Sequence, residues 1–232
     1  MYYNYAYLVS AIVILPAFIF ALICEAKVKS NYNKYSRIMS RSGMTGADAA
    51  YRLLQLNGIN NVAIRRIDGN LTDHYDPSTN TICLSQGVFD SRSVAAIGIA
   101  CHEAGHACQH ANDYFPLSLR NAVIPATRIG TSIGIPLCFI GLAINSATLA
   151  YIGVILYAFV AFFQLATLPI EFNASKRALE TIQANNFLAP DEYVGAKKVL
   201  SAAALTYVAA LATALAAILR FLIMIKIGER RR

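Results

Sequence analysis

Residues 5–24, 129–168 and 199–219 of this chain are almost continuously apolar, and no other feature narrows its possible folds as much. An α-helix needs about 20 apolar residues to cross a hydrocarbon core about 30 Å thick. The middle run is long enough for two crossings and is interrupted only by Asn145-Ser146, which reads as a tight turn between two membrane helices. Hydrophobic residues make up 56% of the 232 and charged residues only 14%, so much of the surface must face lipid.

The formal charge of +7 does not require a nucleic-acid partner. The lysines and arginines are scattered or flank the apolar runs, as Lys27, Lys29 and Lys226 do, and membrane topology accounts for them. Cys24, Cys83, Cys101, Cys108 and Cys138 are an odd set without C-x-x-C spacing, so no disulfide framework is expected. The first apolar run lacks a basic segment before it and a small-residue cleavage site after it, and reads as a retained membrane helix.

Between the first two runs lies a polar region. Thr45 and Asp48 mark the start of a helix over residues 45–57, with Leu53, Leu54 and Leu56 on its buried side and Asn57-Gly58 as its stop. Residues 62–67, 71–76 and 81–84 read as short strands separated by turn-forming Asp68-Gly69-Asn70 and Pro77-Ser78-Thr79-Asn80, which predicts a small antiparallel sheet. A further helix, capped by Asp90 or Ser91, runs to about His110.

That helix contains His102-Glu103-Ala104-Gly105-His106, the pattern H-E-x-x-H. Helical periodicity sets its two imidazoles on one face about 6 Å apart along the axis, within reach of one zinc ion. Glu103 lies beside that face, where its carboxylate can take a proton from the attacking water. The alternative is a polar stripe on a surface helix. Gly98 and Gly105 disfavour a helix by about 1 kcal/mol each relative to alanine, and are tolerated where another element packs closely.

A catalytic zinc takes three protein ligands and keeps an open position. His110 lies about 12 Å along the axis from His102 in a continuous helix, too far to share an ion with bonds of about 2 Å. Glu171, at the end of the second long apolar run, is the better candidate; alternatively it begins a helix after Pro169, where its charge meets a favourable dipole. Ser175, one turn on, can hydrogen-bond a ligand imidazole. His74, Tyr75 and Arg177 are candidate donors to a developing oxyanion, and each is also an ordinary structural residue type. Residues 81–85 are read as an edge strand to which an extended substrate peptide adds, or as an ordinary sheet strand.

Leu71-Thr72-Asp73-His74-Tyr75-Asp76-Pro77, Ser93-Val94-Ala95-Ala96 and residues 102–109, 168–178 and 202–210 together resemble the YugP-like neutral zinc metallopeptidases, small membrane proteins of bacteria. The resemblance covers nearly the whole chain. It implies a zinc peptidase with His102 and His106 as ligands, Glu103 as the catalytic residue and Zn2+ as the cofactor. Glu171-Phe172-Asn173-Ala174-Ser175 is also similar to the E-x-x-A-D segment that supplies the third ligand in HtpX-like and prenyl-protein membrane peptidases, which supports Glu171. Ser175 stands where those relatives carry Asp, so their Asp–His hydrogen bond does not carry over.

The expected architecture is an integral membrane α-helical protein of about four spans with a small α+β gluzincin-like zinc peptidase domain. Residues 1–26 form the first span, 27–127 the catalytic region, 128–169 a transmembrane hairpin, 170–198 the third-ligand helix and loop, 199–227 the last span and 228–232 a basic tail. The expected function is a membrane-embedded zinc metalloendopeptidase acting on membrane or membrane-proximal proteins; the competing reading is a non-catalytic zinc-binding scaffold or sensor. Lys27 and Lys29 favour a multi-pass cell-membrane protein with a cytoplasmic site, whereas Arg230, Arg231 and Arg232 would then follow a fourth crossing to the other side.

Overall fold

The structure, a computed structural model, describes the backbone of residues 2–230 and the side chains of residues 11–230. Met1 of the expected first span and Arg231 and Arg232 of the expected basic tail lie outside the described residues. The chain forms two compact units, Met1–Cys24 with Ser118–Leu168 and Thr206–Arg232, and Glu25–Leu117 with Pro169–Leu205.

The first unit is helical. It is built from the start of α1 (Tyr2–Tyr35), most of α5 (Phe115–Ile129), a π-helical turn at Gly130–Gly134, α6 (Ile135–Ala143), the first part of α7 (Ala147–Ala184) and the last part of α8 (Pro190–Glu229). Among the described residues, four helical stretches, Ala11–Tyr35, Phe115–Ala143, Ala147–Ala184 and Pro190–Glu229, are long and apolar enough to cross a membrane. Phe18, Leu22, Ile140, Ile155, Phe162 and Leu219 point outward from them, which lipid tolerates and water does not.

The turn expected at Asn145-Ser146 is present and its chemistry is local. Asn145 adopts a left-handed φ of 56°, Ser146 N–H donates to the Gly141 carbonyl at 2.7 Å and Asn145 N–H to that of Leu142 at 3.3 Å, the paired bonds that close a helix C-terminus. Lipid gives two apolar helices little hydrophobic reason to associate, so close backbone approach must hold α6 to α7. A Cβ on Gly153 would lie 2.6 Å from the Cys138 nitrogen, so only glycine fits at that crossing.

The second unit holds the sheet. Thr45 caps α2 (Gly46–Leu56) in a reciprocal capping box: Asp48 N–H donates to Thr45 Oγ1 at 3.1 Å and Thr45 N–H to Asp48 Oδ2 at 3.0 Å. Leu53 and Leu54 are buried as expected, but Leu56 is 52% exposed, because it falls outside the buried stripe of Gly46, Ala49, Ala50, Leu53 and Leu54. The strands β1 (Ala63–Ile67), β2 (His74–Asp76) and β3 (Thr81–Ser85) have the order β1-β3-β2.

Two expectations about this sheet fail. It is mixed: β2 pairs antiparallel with β3 through the Pro77–Asn80 turn, whereas β1 pairs parallel with β3. And β3 is the central strand, with Cys83 facing both Arg65 and His74, so of its two readings the ordinary sheet strand holds and the edge strand does not. The physical reason is burial. Ile82 and Leu84 are fully buried in the core, whereas β1 is mostly exposed, so β3 takes the centre and β1 covers its remaining edge.

After a short α3 (Gln86–Phe89), helix α4 (Val94–Ala111) passes through the core of this unit. Its cap is Ser93, whose Oγ accepts from Ala96 N–H at 3.2 Å, and not Asp90 or Ser91. Asp90 is occupied by a 3.1 Å ion pair with Arg66, and Ser91 Oγ donates to Ser93 Oγ. Val94, Ile97, Ala100, Cys101, Ala104 and Cys108 are all at most 1% exposed. Burial raises the Cys108 thiol to about 11 and that of Cys101 further, so neither is an available thiolate at neutral pH.

The polar half of α7 and the first turns of α8 close around α4. Pro169 lies inside α7 without ending it. Pro190 opens α8, and Glu192, 6% exposed, accepts from Ala189 N–H and Arg41 N–H at 2.9 Å each, tying the loop after α1 to the start of α8.

Candidate metal centre

Small residues let α7 and α8 reach the H-E-x-x-H helix. A Cβ on Gly105 would lie 2.7 Å from the Ala174 carbonyl oxygen of α7, and one on Gly98 would lie 3.2 Å from Ala196 Cβ of α8. The two glycines that weaken α4 as an isolated helix are therefore its contact points, and Gly105 meets the helix that carries Glu171. Gly105→Val should cost about 1–3 kcal/mol by overpacking and should also push Glu171 away from the histidines. Thermal unfolding together with zinc titration checks both; unchanged zinc affinity in a folded variant would count against the close approach.

His102 and His106 project one turn apart from α4, and Glu171 comes from α7. His102 Nε2 lies 3.1 Å from His106 Nε2 and 3.3 Å from Glu171 Oε2, and His106 Nε2 lies 3.5 Å from the same oxygen. A tetrahedral zinc with bonds of about 2.0–2.1 Å has ligand–ligand edges of about 3.3 Å, so the three atoms stand where three corners would be. Glu171 is 5% exposed, and its Oε2 is a buried oxygen without a hydrogen-bond donor. Two unprotonated imidazole nitrogens and a carboxylate oxygen turned inward at this spacing repel one another unless a proton or a metal ion joins them. Burial opposes charging of His106, but the Glu171 carboxylate beside it, helped by Glu103, outweighs burial and raises its pKa above the ordinary imidazole value. The site thus favours a positive charge between its ligands, and the donor set fits zinc.

The far nitrogens of both rings are held. Ser175 Oγ lies 3.1 Å from His102 Nδ1, and Gln109 Oε1 lies 3.0 Å from His106 Nδ1. Glu103, 8% exposed, follows His102 directly on α4, and its charge is felt at His106. Gln109 escaped the sequence reading. Nothing local marks it, because a glutamine three residues beyond a histidine in a helix is an ordinary polar residue until its partners on α7 are known.

The remaining candidates are engaged nearby or elsewhere. His74 is exposed, with Nδ1 2.8 Å from the Thr72 carbonyl. Tyr75 donates to Asn80 Oδ1 at 2.7 Å and accepts from His110 Nδ1 at 2.8 Å, which accounts for His110 without the metal. Arg177 Nε donates to Asn173 Oδ1 at 2.9 Å, and the same oxygen accepts from Gln109 Nε2 at 3.0 Å.

A family model described as "Putative neutral zinc metallopeptidase" matches residues 10–226. The chain is 45% identical over 206 residues, 88% of its own length and 91% of the relative's, to "Putative membrane protease YugP" of Bacillus subtilis (strain 168). No solved structure matches it. The match over nearly the whole chain and the His-His-Glu cluster at its centre lead to one conclusion: this chain belongs to the zinc metallopeptidase family described by that model.

Proposed function

We propose that the protein is a membrane-embedded gluzincin-like zinc endopeptidase in which His102, His106 and Glu171 hold the metal and Glu103 is the catalytic base. The observation that carries this reading is the convergence of three ligand atoms on one point, one of them the orphaned Glu171 Oε2. Zinc bound there would supply Lewis acidity, lowering the pKa of water toward about 7 and polarising a scissile carbonyl. Glu103 accepts the proton of the attacking water and returns it to the leaving amine, so the carboxylate ends the cycle as it began. Ser175 orients the His102 ring through Nδ1. A site that only holds metal for structure has no need of a carboxylate base between its histidines, which favours catalysis over a scaffold.

Substrates in this reading are membrane or membrane-proximal protein chains. Its support is that Glu171 continues, within one helix, the apolar stretch that ends at Leu168. We place the site on the cytoplasmic side of the cell membrane by the positive-inside rule: Lys27 and Lys29 follow the first span, which usually sets the orientation and here outweighs Lys226 and Arg230 at the end of the last helix.

The full chain purified in detergent is expected to hold about one zinc per chain and to cleave unfolded peptides, to stop when a chelator removes the metal, and to recover on zinc addition. Peptides anchored in liposomes are expected to be cut faster than the same sequences free in solution. Cleavage that persists without metal, or protein that binds none, would overturn the reading.

A further inference from the structure

A neutral imidazole carries its proton on one nitrogen only, so the group facing Nδ1 decides whether Nε2 has a lone pair to offer. At His102 that group is the hydroxyl of Ser175, which can donate or accept and therefore imposes no choice. At His106 it is the amide of Gln109, a fully buried side chain whose orientation is settled by its other end. Gln109 Nε2 donates to the Ile170 carbonyl at 2.7 Å and to Asn173 Oδ1 at 3.0 Å. Turning the amide over would set its oxygen against two acceptors and its NH2 group against His106. Oε1 must therefore face the ring, and it can only accept.

The same side chain bridges two helices. Ile170 immediately precedes Glu171, and Asn173 lies between Glu171 and Ser175 on α7. Asn173 Oδ1 is fixed in turn by Arg177 Nε at 2.9 Å. We propose that Gln109 is a positioning residue of the metal centre: it assigns the His106 proton to Nδ1, leaving Nε2 as the ligand atom, and it sets the distance between α4 and the turn of α7 that carries Glu171. This rests on the zinc reading of the site. It also gives Arg177 a role away from the oxyanion, as the group that orients Asn173.

The test uses the full chain in detergent, with zinc affinity measured by competition against a chromophoric chelator and the site geometry read from the visible spectrum of the cobalt(II)-loaded protein. Gln109→Leu is expected to weaken zinc by about 10–100-fold and to shift the cobalt bands, the usual consequence of losing the partner of a ligand histidine. Asn173→Asp keeps an acceptor for both Gln109 and Arg177 and should stay close to the parent, whereas Asn173→Leu should fall about tenfold. Parental affinity and spectrum in Gln109→Leu overturn the proposal. If that variant does not fold, equal behaviour of Asn173→Leu and Asn173→Asp overturns it. Failure of the underlying reading looks different: the parent binds no zinc, or His106→Ala binds it as tightly as the parent.

Discussion

Glu103→Gln is expected to keep its zinc and to hydrolyse peptides about 10²–10⁴-fold more slowly than the parent, the usual contribution of a positioned general base. Glutamine has the shape of glutamate but takes no proton from water at neutral pH. Glu103 is mostly buried, and the substitution removes a charge without opening a cavity, so α4 should remain intact. Zinc content and melting temperature should therefore match the parent while cleavage is lost. Equal cleavage would remove Glu103 from the mechanism, and loss of zinc would show that its charge serves to hold the metal.

Glu171→Gln is expected to change stability in opposite directions with and without metal. In the absence of a cation, Glu171 Oε2 is a buried anionic oxygen without a donor, next to two imidazole nitrogens. An amide there removes the buried charge and can donate to one of those nitrogens, so in excess chelator at mildly alkaline pH the variant should equal or exceed the parent by about 1–3 kcal/mol. Added zinc reverses the order. At 1,000 times its dissociation constant a ligand stabilises the native state by about 4 kcal/mol, and the parent should gain this while the variant, lacking its anionic ligand, gains little. Differential scanning fluorimetry of both proteins in chelator and in zinc measures the four values. A variant that is destabilised in chelator and gains from zinc as the parent does would place Glu171 outside the metal site.

The two variants together separate metal binding from catalysis. Glu171→Gln acts on the cation, and Glu103→Gln acts on the proton. A purely structural zinc site predicts the first result but leaves no activity for the second to remove.

Much of this centre was legible in the chain because its parts are local. His102 and His106 share a face because helical periodicity requires it, and Glu103 follows from the same spacing. The capping box of Thr45 and Asp48 and the left-handed Asn145 could be read for the same reason. Glu171 was reachable from the need for a third ligand and from an acidic residue at the end of an apolar run. Gln109 was not, because a glutamine in a helix has no preferred role until its partners are known. Those partners, Ile170 and Asn173, belong to α7, 61 and 64 residues further along the chain and after the turn at Asn145-Ser146.

The sheet shows the opposite case. Turn chemistry locates its strands, yet it leaves β3 open between an edge and an ordinary strand and suggests an antiparallel sheet where β1 in fact pairs parallel. Asp90 and Ser91 were reasonable caps by residue type, but Asp90 pairs with Arg66 of β1 and the cap passed to Ser93. By itself the sequence determined the membrane-length helices, the helix that carries H-E-x-x-H and the turns, since each depends on residues within a few positions of one another. Only the tertiary structure decided strand order, the glycine contact that admits α7 to α4, and the hydrogen bonds that aim His102 and His106, because burial and polar pairing between distant segments are settled by which of them meet.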